Sequence, residues 1–214
     1  MRGMQSIRYS ASLIEIANDR IRPRMLIQNL PGCLTGTLLV ASPALTEAGF
    51  RRSVVFLFAH SPDGAMGLIV NRALRTGSAL RHLRDSGVAG ESTDPRPLHI
   101  GGPLDRARCL LLHSDDYHAV ENTVRTPVGL GVTASDDALH AVANGRGPEN
   151  WLLARGHAAW APGQLEQELN EGAWLTAPAL DWTIFRCDDN LKWPAALRGL
   201  GIAPEGLSAQ MGRA

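Results

Sequence analysis

Ser53 and His60 bracket the apolar run Val54–Ala59, and a serine with a histidine is the smallest set that could support nucleophilic catalysis. Their spacing argues against it. Seven positions apart on an extended chain, they lie roughly 20 Å from each other and cannot touch. They read instead as polar residues at the two mouths of a strand. The chain has seven histidines, and His99, His113 and His118 form the one near-cluster. No HxH or HExxH spacing and no CxxC pair accompanies them, so neither a metal nor a cofactor is implied. His113-Ser114-Asp115-Asp116 reads as a charged turn after a strand rather than a metal site, which would need ligands from elsewhere. No catalytic residue is assigned on these grounds.

Binding chemistry has better candidates. Asn71-Arg72 closes an apolar segment. Its guanidinium suits a carboxylate, either internal, as a structural salt bridge, or on a ligand, and the residues favour neither. Gly101-Gly102-Pro103, with Arg106 and Arg108 close behind, could aim backbone N–H groups at a phosphate or carboxylate. The competing and favoured reading is a glycine turn that lets two backbones approach. Trp160 stands beside Pro162-Gly163 and is expected to be partly exposed. Gln164 and Glu168 lie four apart and share a helix face. Asn71, Arg72, Trp160, Gln164 and Glu168 are therefore the expected lining of a polar cleft, with Gly101 and Gly102 as a further binding candidate.

The elements that must position these residues start from Val54–Ala59. Six apolar residues, β-branched and aromatic among them, are too few for a typical helix and fit a strand buried on both faces. Pro62-Asp63-Gly64 supplies a turn, and Gly67–Val70 is the return strand of a hairpin. Thr37–Ala41 precedes them, stopped by Ser42-Pro43. Further strands are expected at Leu98–Ile100, Arg108–His113, Val128–Thr133, Trp151–Ala154 and Ala173–Thr176, with a strand or tight turn at Trp182–Arg186. Helices are expected at Ala79–Arg84, capped by Ser78 and ended by Gly87; from Ser135 to about Asn144; from Gln164 through Leu169, ended by Gly172; and at Leu191–Leu200. Mixed helices and hairpin-linked strands predict an α+β fold with largely antiparallel pairing.

Composition narrows the function classes. The chain has 214 residues, 44% hydrophobic and 20% charged, with a formal net charge of +0. That length suits one sizeable core. A neutral chain has no global field for drawing in nucleic acid or an anionic membrane, and no apolar run approaches a membrane span. Direct nucleic-acid binding is not expected, nor is a membrane. Cys33, Cys109 and Cys187 are sparse and unpaired in spacing, which fits reduced thiols in the cytoplasm. Residues 1–24, in which Ser12–Ala17 could form an amphipathic turn or two before Pro23 ends it, read as a loosely ordered N-terminal extension, with Met25 a candidate start.

Ordered motifs then point to a family. Gly36-x-Leu38-Leu39-x-Ala41-x-Pro43 is followed by Phe50-x-x-Ser53-Val54-Val55, His60, Gly64-Ala65-Met66-Gly67-Leu68 and Asn71-Arg72. Gly101-Gly102-Pro103, Thr133-x-Ser135-x-Asp137-x-Leu139, Gly156–Trp160 and Gly163-Gln164-Leu165-Glu166-x-Glu168 follow. This series, from about Met25 to the C-terminus, resembles the AlgH/YqgE-type family of bacterial proteins. The resemblance implies one domain over 25–214, with a small closed or bifurcated β structure flanked by helices, and a link to transcriptional regulation. Together with the lack of a complete catalytic set, it favours a non-catalytic binding or regulatory protein acting through a protein or small-molecule partner. The alternative is a small enzyme acting on a phosphorylated or acyl substrate, held at Gly101-Gly102, with His60 or Glu168 as base.

Overall fold

Strand β2 (Val54–Ser61) runs through the centre of the molecule, and its side chains alternate between two cores. Val54, Phe56 and Phe58 face one apolar cluster; Val55 and Leu57 face another. This explains the unbroken apolar run, since a strand with two buried faces has no polar side to show. Each such large side chain contributes about 1.5–3 kcal/mol on burial. A two-residue turn, Pro62-Asp63, returns the chain into β3 (Gly64–Ile69), paired antiparallel to β2 from Ser61↔Gly64 to Val55↔Ile69. Phe58 is a bulge in that ladder. Gly67 is required in it, because a Cβ there would stand 2.5 Å from Val55 Cγ1 and 3.0 Å from the Phe56 carbonyl oxygen.

The computed structural model describes residues 32–118 and 123–203. The extension expected over residues 1–24 lies outside the described residues. On the other side of β2 sit β1 (Thr37–Ala41) and then β10 (Trp174–Pro178), both antiparallel. Beyond β3 comes β9 (Trp151–Trp160), and then β6 (Leu104–Ser114), β8 (Leu130–Thr133) and β7 (Thr123–Arg125). The sheet branches at β9. Its last residues pair with β3, while its first half is flanked by β6 and by β5 (Pro97–Ile100), the latter in parallel. β5 pairs in turn with β4 (Ala73–Ser78). The result is a single-domain α+β fold around a curled, largely antiparallel sheet.

Among the described residues, four α-helices complete it: α1 (Ala79–Asp85), α2 (Asp136–Ala143), α3 (Gln164–Asn170) and α4 (Asp189–Gly199). Ser78 caps α1 as expected, its hydroxyl accepting the Arg81 N–H at 3.2 Å. Ser135 precedes α2 in extended geometry without a side-chain cap bond. Among the described residues, no helix is long and apolar enough to cross a membrane.

Three expectations need correction. Trp182–Arg186 is neither strand nor tight turn but one turn of π-helix. Trp160 is 3% exposed rather than open to solvent, and Trp182 is the tryptophan on the surface, at 57%. Trp151–Ala154 is only the first part of β9, which runs on through Arg155, Gly156 and His157 to Trp160.

Candidate functional site

Asn71 works as a backbone clamp. Its Oδ1 accepts the Val54 N–H at 2.8 Å and its Nδ2 donates to the Arg52 carbonyl at 2.9 Å. The clamp closes a bend in which Arg52 takes φ 56°, an uncommon backbone state for a residue with a Cβ. Ser53, fully buried inside the bend, donates its hydroxyl to the Phe50 carbonyl at 2.7 Å. That bond assigns Ser53 a structural task. Arg72 is half-buried and donates to the Arg51 carbonyl at 3.2 Å. Burial pushes its guanidinium down from the ordinary arginine range, because partial removal from water disfavours the charged form.

Gly101 and Gly102 sit against β9. A Cβ on Gly101 would meet the Gly156 carbonyl oxygen at 2.3 Å, and one on Gly102 would meet the His157 carbonyl carbon at 2.1 Å. Gly101 also uses its backbone at both ends: its N–H donates to Arg155 and its carbonyl accepts from Ile69, each at 2.8 Å. Close approach therefore accounts for both glycines. The Ile100 N–H donates to the Arg72 carbonyl at 2.9 Å, which places this turn next to the Asn71–Arg72 segment.

Trp160, Gln164 and Glu168 do come together. Glu168 Oε2 accepts both indole N–H groups, Trp160 and Trp174, at 2.8 Å, and its Oε1 accepts the Gln164 amide at 2.8 Å. Gln164 in turn accepts the Ala161 N–H at 3.0 Å, closing the start of α3. Phe50 packs on both indoles, edge-on to Trp174 with centroids 5.5 Å apart. Among the described residues, no hydrogen bond or ion pair joins this group to Asn71 or Arg72.

His60 has both ring nitrogens occupied. Nδ1 accepts the Leu34 N–H at 3.0 Å, which leaves the proton on Nε2, 2.7 Å from Glu166 Oε1. The Glu166 carboxyl is held below the usual carboxylate range by its own backbone N–H and by His60.

One cluster escaped sequence reasoning. Lys192, 3% exposed on α4, donates to the Val70 carbonyl and to Asp189 Oδ1, both at 2.7 Å. Asp189 Oδ2 lies 3.0 Å from Nε2 of His99, which is 5% exposed, and His99 Nδ1 is buried without a partner. Burial lowers the ammonium of Lys192, and Asp189 offsets only part of that. Burial also opposes ionisation of Asp189, but the His99 bond and the charges of His99 and Lys192 outweigh it and hold the carboxyl low. Beside this cluster, Trp193 donates to the Ala41 carbonyl at 2.7 Å, fixing α4 to β1. The sequence signal was a lysine inside an apolar helical segment, with a tryptophan and proline following.

The family model described as AlgH-like matches residues 38–205. The chain belongs to the AlgH-like family. A UPF0301 protein of Cereibacter sphaeroides is 43% identical over 183 residues, covering 85% of this chain and 99% of that protein. One of Gluconobacter oxydans is 44% identical over 184 residues, covering 85% and 98%. The solution structure of AlgH from Pseudomonas aeruginosa superposes with TM-score 0.69 at 33% identity, over 87% of this chain and 99% of that one. The crystal structure of protein DIP2367 from Corynebacterium diphtheriae gives 0.62 at 26% identity, over 78% and 86%. The AlgH-like motifs read from the sequence fall on the buried central hairpin, the Gly101–Gly102 contact and the Glu168 network.

Proposed function

We propose that this AlgH-like protein is a non-catalytic binding or regulatory protein of the cytoplasm, with a role in transcriptional regulation exerted through a small-molecule or protein partner. One observation carries the reading. The three side chains named from the sequence as candidate base or nucleophile are engaged by the fold itself: Glu168 by three donors, His60 at both nitrogens, and Ser53 by the Phe50 carbonyl. A general base must reach a substrate proton, and a carboxylate holding three N–H groups is poorly placed for that. The enzymatic alternative would require His60 to give up Leu34 or Glu166.

Asn71 and Arg72 remain the residues proposed for the binding face, whereas Gly101, Gly102, Trp160, Gln164 and Glu168 are taken up by backbone contact and by the network at Glu168. A thermal-shift screen of metabolites tests the role, because a ligand of the native state raises Tm by mass action. Alanine variants at Asn71 and Arg72 that fold normally should lose a ligand or partner held by the parent protein. Retention of every such interaction would count against the binding face. A sequence-selective, salt-sensitive gel shift with duplex DNA would replace the partner-mediated role with direct binding.

A further inference from the structure

Among the described residues, two buried side-chain nitrogens lack a hydrogen-bond partner, His99 Nδ1 and His113 Nε2. They differ in what a second proton would meet. His99 faces the Asp189 carboxylate through Nε2 at 3.0 Å, so a charged ring there keeps a counter-ion in contact. His113 is fully buried, and its Nδ1 lies 2.8 Å from the Ser114 carbonyl. A carbonyl only accepts, so Nδ1 carries the proton and Nε2 is the bare nitrogen that an incoming proton must take.

Nothing near Nε2 is ready for that proton. The charged groups around the ring are Asp115, Asp116 and Arg125. Asp115 is paired with Arg125, which also lies 3.4 Å from His118 Nδ1. Asp116 accepts from the Ser114 hydroxyl and, at 2.8 Å, from the Glu149 N–H. Tyr117 meets the ring edge-on, with centroids 5.9 Å apart. Gly131 of β8 and Trp151 of β9 stand opposite His113 in the two ladders, and neither ionises. The imidazole packs directly on Gly131, where a Cβ would lie 2.6 Å from both Cε1 and Nε2. A proton on Nε2 would be a buried donor without an acceptor, on a ring that has just become a cation. Burial, the largest influence, holds His113 below the ordinary histidine range despite the two carboxylates.

The strand ladders say what such a proton would loosen. β7 pairs with β8, and β8 joins the rest of the sheet through β6, with His113 opposite Gly131. The Ser114 N–H donates toward the β9 side, to Asn150, and the Thr126 N–H donates to Leu130 across the β7–β8 hairpin. Strand alternation then turns the Gly131 and Thr133 amides toward β6. Behind them Leu112, Leu130 and Val132 lie buried in one apolar cluster.

We propose that His113 is a proton-operated latch: protonation at Nε2 frees the β7–β8 hairpin from β6 and uncovers the apolar surface beneath it. The latch does not depend on the binding role proposed above. The open hairpin binds the proton more readily than the closed one. Closure is therefore complete above about pH 6.5 and weakens as pH falls, until the folded pKa is passed. One proton raises the open fraction by at most about tenfold at pH 5.5.

The test is native-state hydrogen exchange of the full chain at pH 7.5 and 5.5, expressed as protection relative to the unfolded-chain rate at each pH. The Gly131 and Thr133 amides should lose protection by up to about tenfold on acidification. At both pH values they should be less protected than Phe56 and Leu68 of the central hairpin and respond less to dilute urea, because a local opening exposes less surface than global unfolding. His113→Gln should abolish the pH dependence at Gly131 and Thr133. If that variant fails to fold, the ring nitrogen NMR shifts of the parent protein decide: His113 should be the Nδ1–H tautomer at pH 7.5 and titrate below the ordinary histidine range. The latch is overturned by protection that does not change with pH, or by a change that survives His113→Gln. It is equally overturned if Gly131 and Thr133 share the protection and urea slope of Phe56 and Leu68, or if His113 proves to be the Nε2–H tautomer or to titrate normally.

Discussion

The Glu168 corner and the Arg72 corner are both built from polar residues at strand ends, and they have opposite designs. At Glu168 each carboxylate oxygen has a donor, the two indole donors pack on each other and on Phe50, and the group staples α3 to β9 and β10. At Arg72 a cation sits half out of water with a carbonyl oxygen as its acceptor, beside a strained bend carrying two more arginines. A saturated polar network stabilises and specifies a fold. The proposed binding face lies at the less saturated of the two corners.

That contrast can be broken by stability measurements on single variants. The largest loss is expected at Lys192, the buried cation that does have a partner. Lys192→Ala leaves the Val70 carbonyl without its donor and Asp189 with His99 alone, and should cost about 3–5 kcal/mol in denaturant unfolding. Glu168→Ala leaves two indole N–H groups and an amide without their acceptor, and about 2–4 kcal/mol should be lost. If it proves neutral, the Glu168 corner is not the staple described above.

The third test varies pH. Burial pushes His113 and His157 below the usual histidine range. Between the folded and unfolded pKa values the unfolded chain therefore binds more protons, so stability rises with pH. It should be complete above about pH 6.5 and fall on acidification, by at most about 1.4 kcal/mol per pH unit for each histidine. The depressed Asp189 adds a further loss only in more acid solution, as pH drops through its folded pKa. Urea midpoints from pH 7.5 to 5 should show the first slope, and His113→Asn should flatten it. Arg72→Gln should leave that slope unchanged.

The smallest effect is expected for Arg72→Gln itself. Removing an unpaired charge should change stability by no more than about 0.5 kcal/mol. A loss as large as that of Glu168→Ala would move Arg72 from the binding face into the scaffold.

Some of this was legible in order along the chain, and some was not. The central hairpin was, because Val54–Phe58 are apolar at every position and Pro62-Asp63 carries its own turn chemistry. β4 was missed because Arg75, Thr76 and Gly77 are exposed and glycine-interrupted, so a strand at that edge shows no apolar period. β9 was seen only in its first part because Arg155, Gly156 and His157 interrupt the apolar run where the strand changes partners. Trp160 was placed wrongly because the Pro162-Gly163 turn suggested surface, whereas Phe50 and Trp174 cover the ring from distant parts of the chain. At the candidate site, Asn71 and Arg72 could be picked out as residues, but not Val54, Arg52 and Arg51 as their partners.

The sequence by itself determined the local chemistry: which segment must be buried on both faces, where the chain must turn, and which polar groups exist. It also carried the family, through ordered motifs that need no coordinates to read. Only the tertiary structure decided which polar groups are spent. His99 and Asp189 are 90 residues apart, and Lys192 Nζ meets the Val70 carbonyl across 122. Hydrogen bonds act over about 3 Å, and no spacing along a chain reports which groups the folded backbone will bring within that distance.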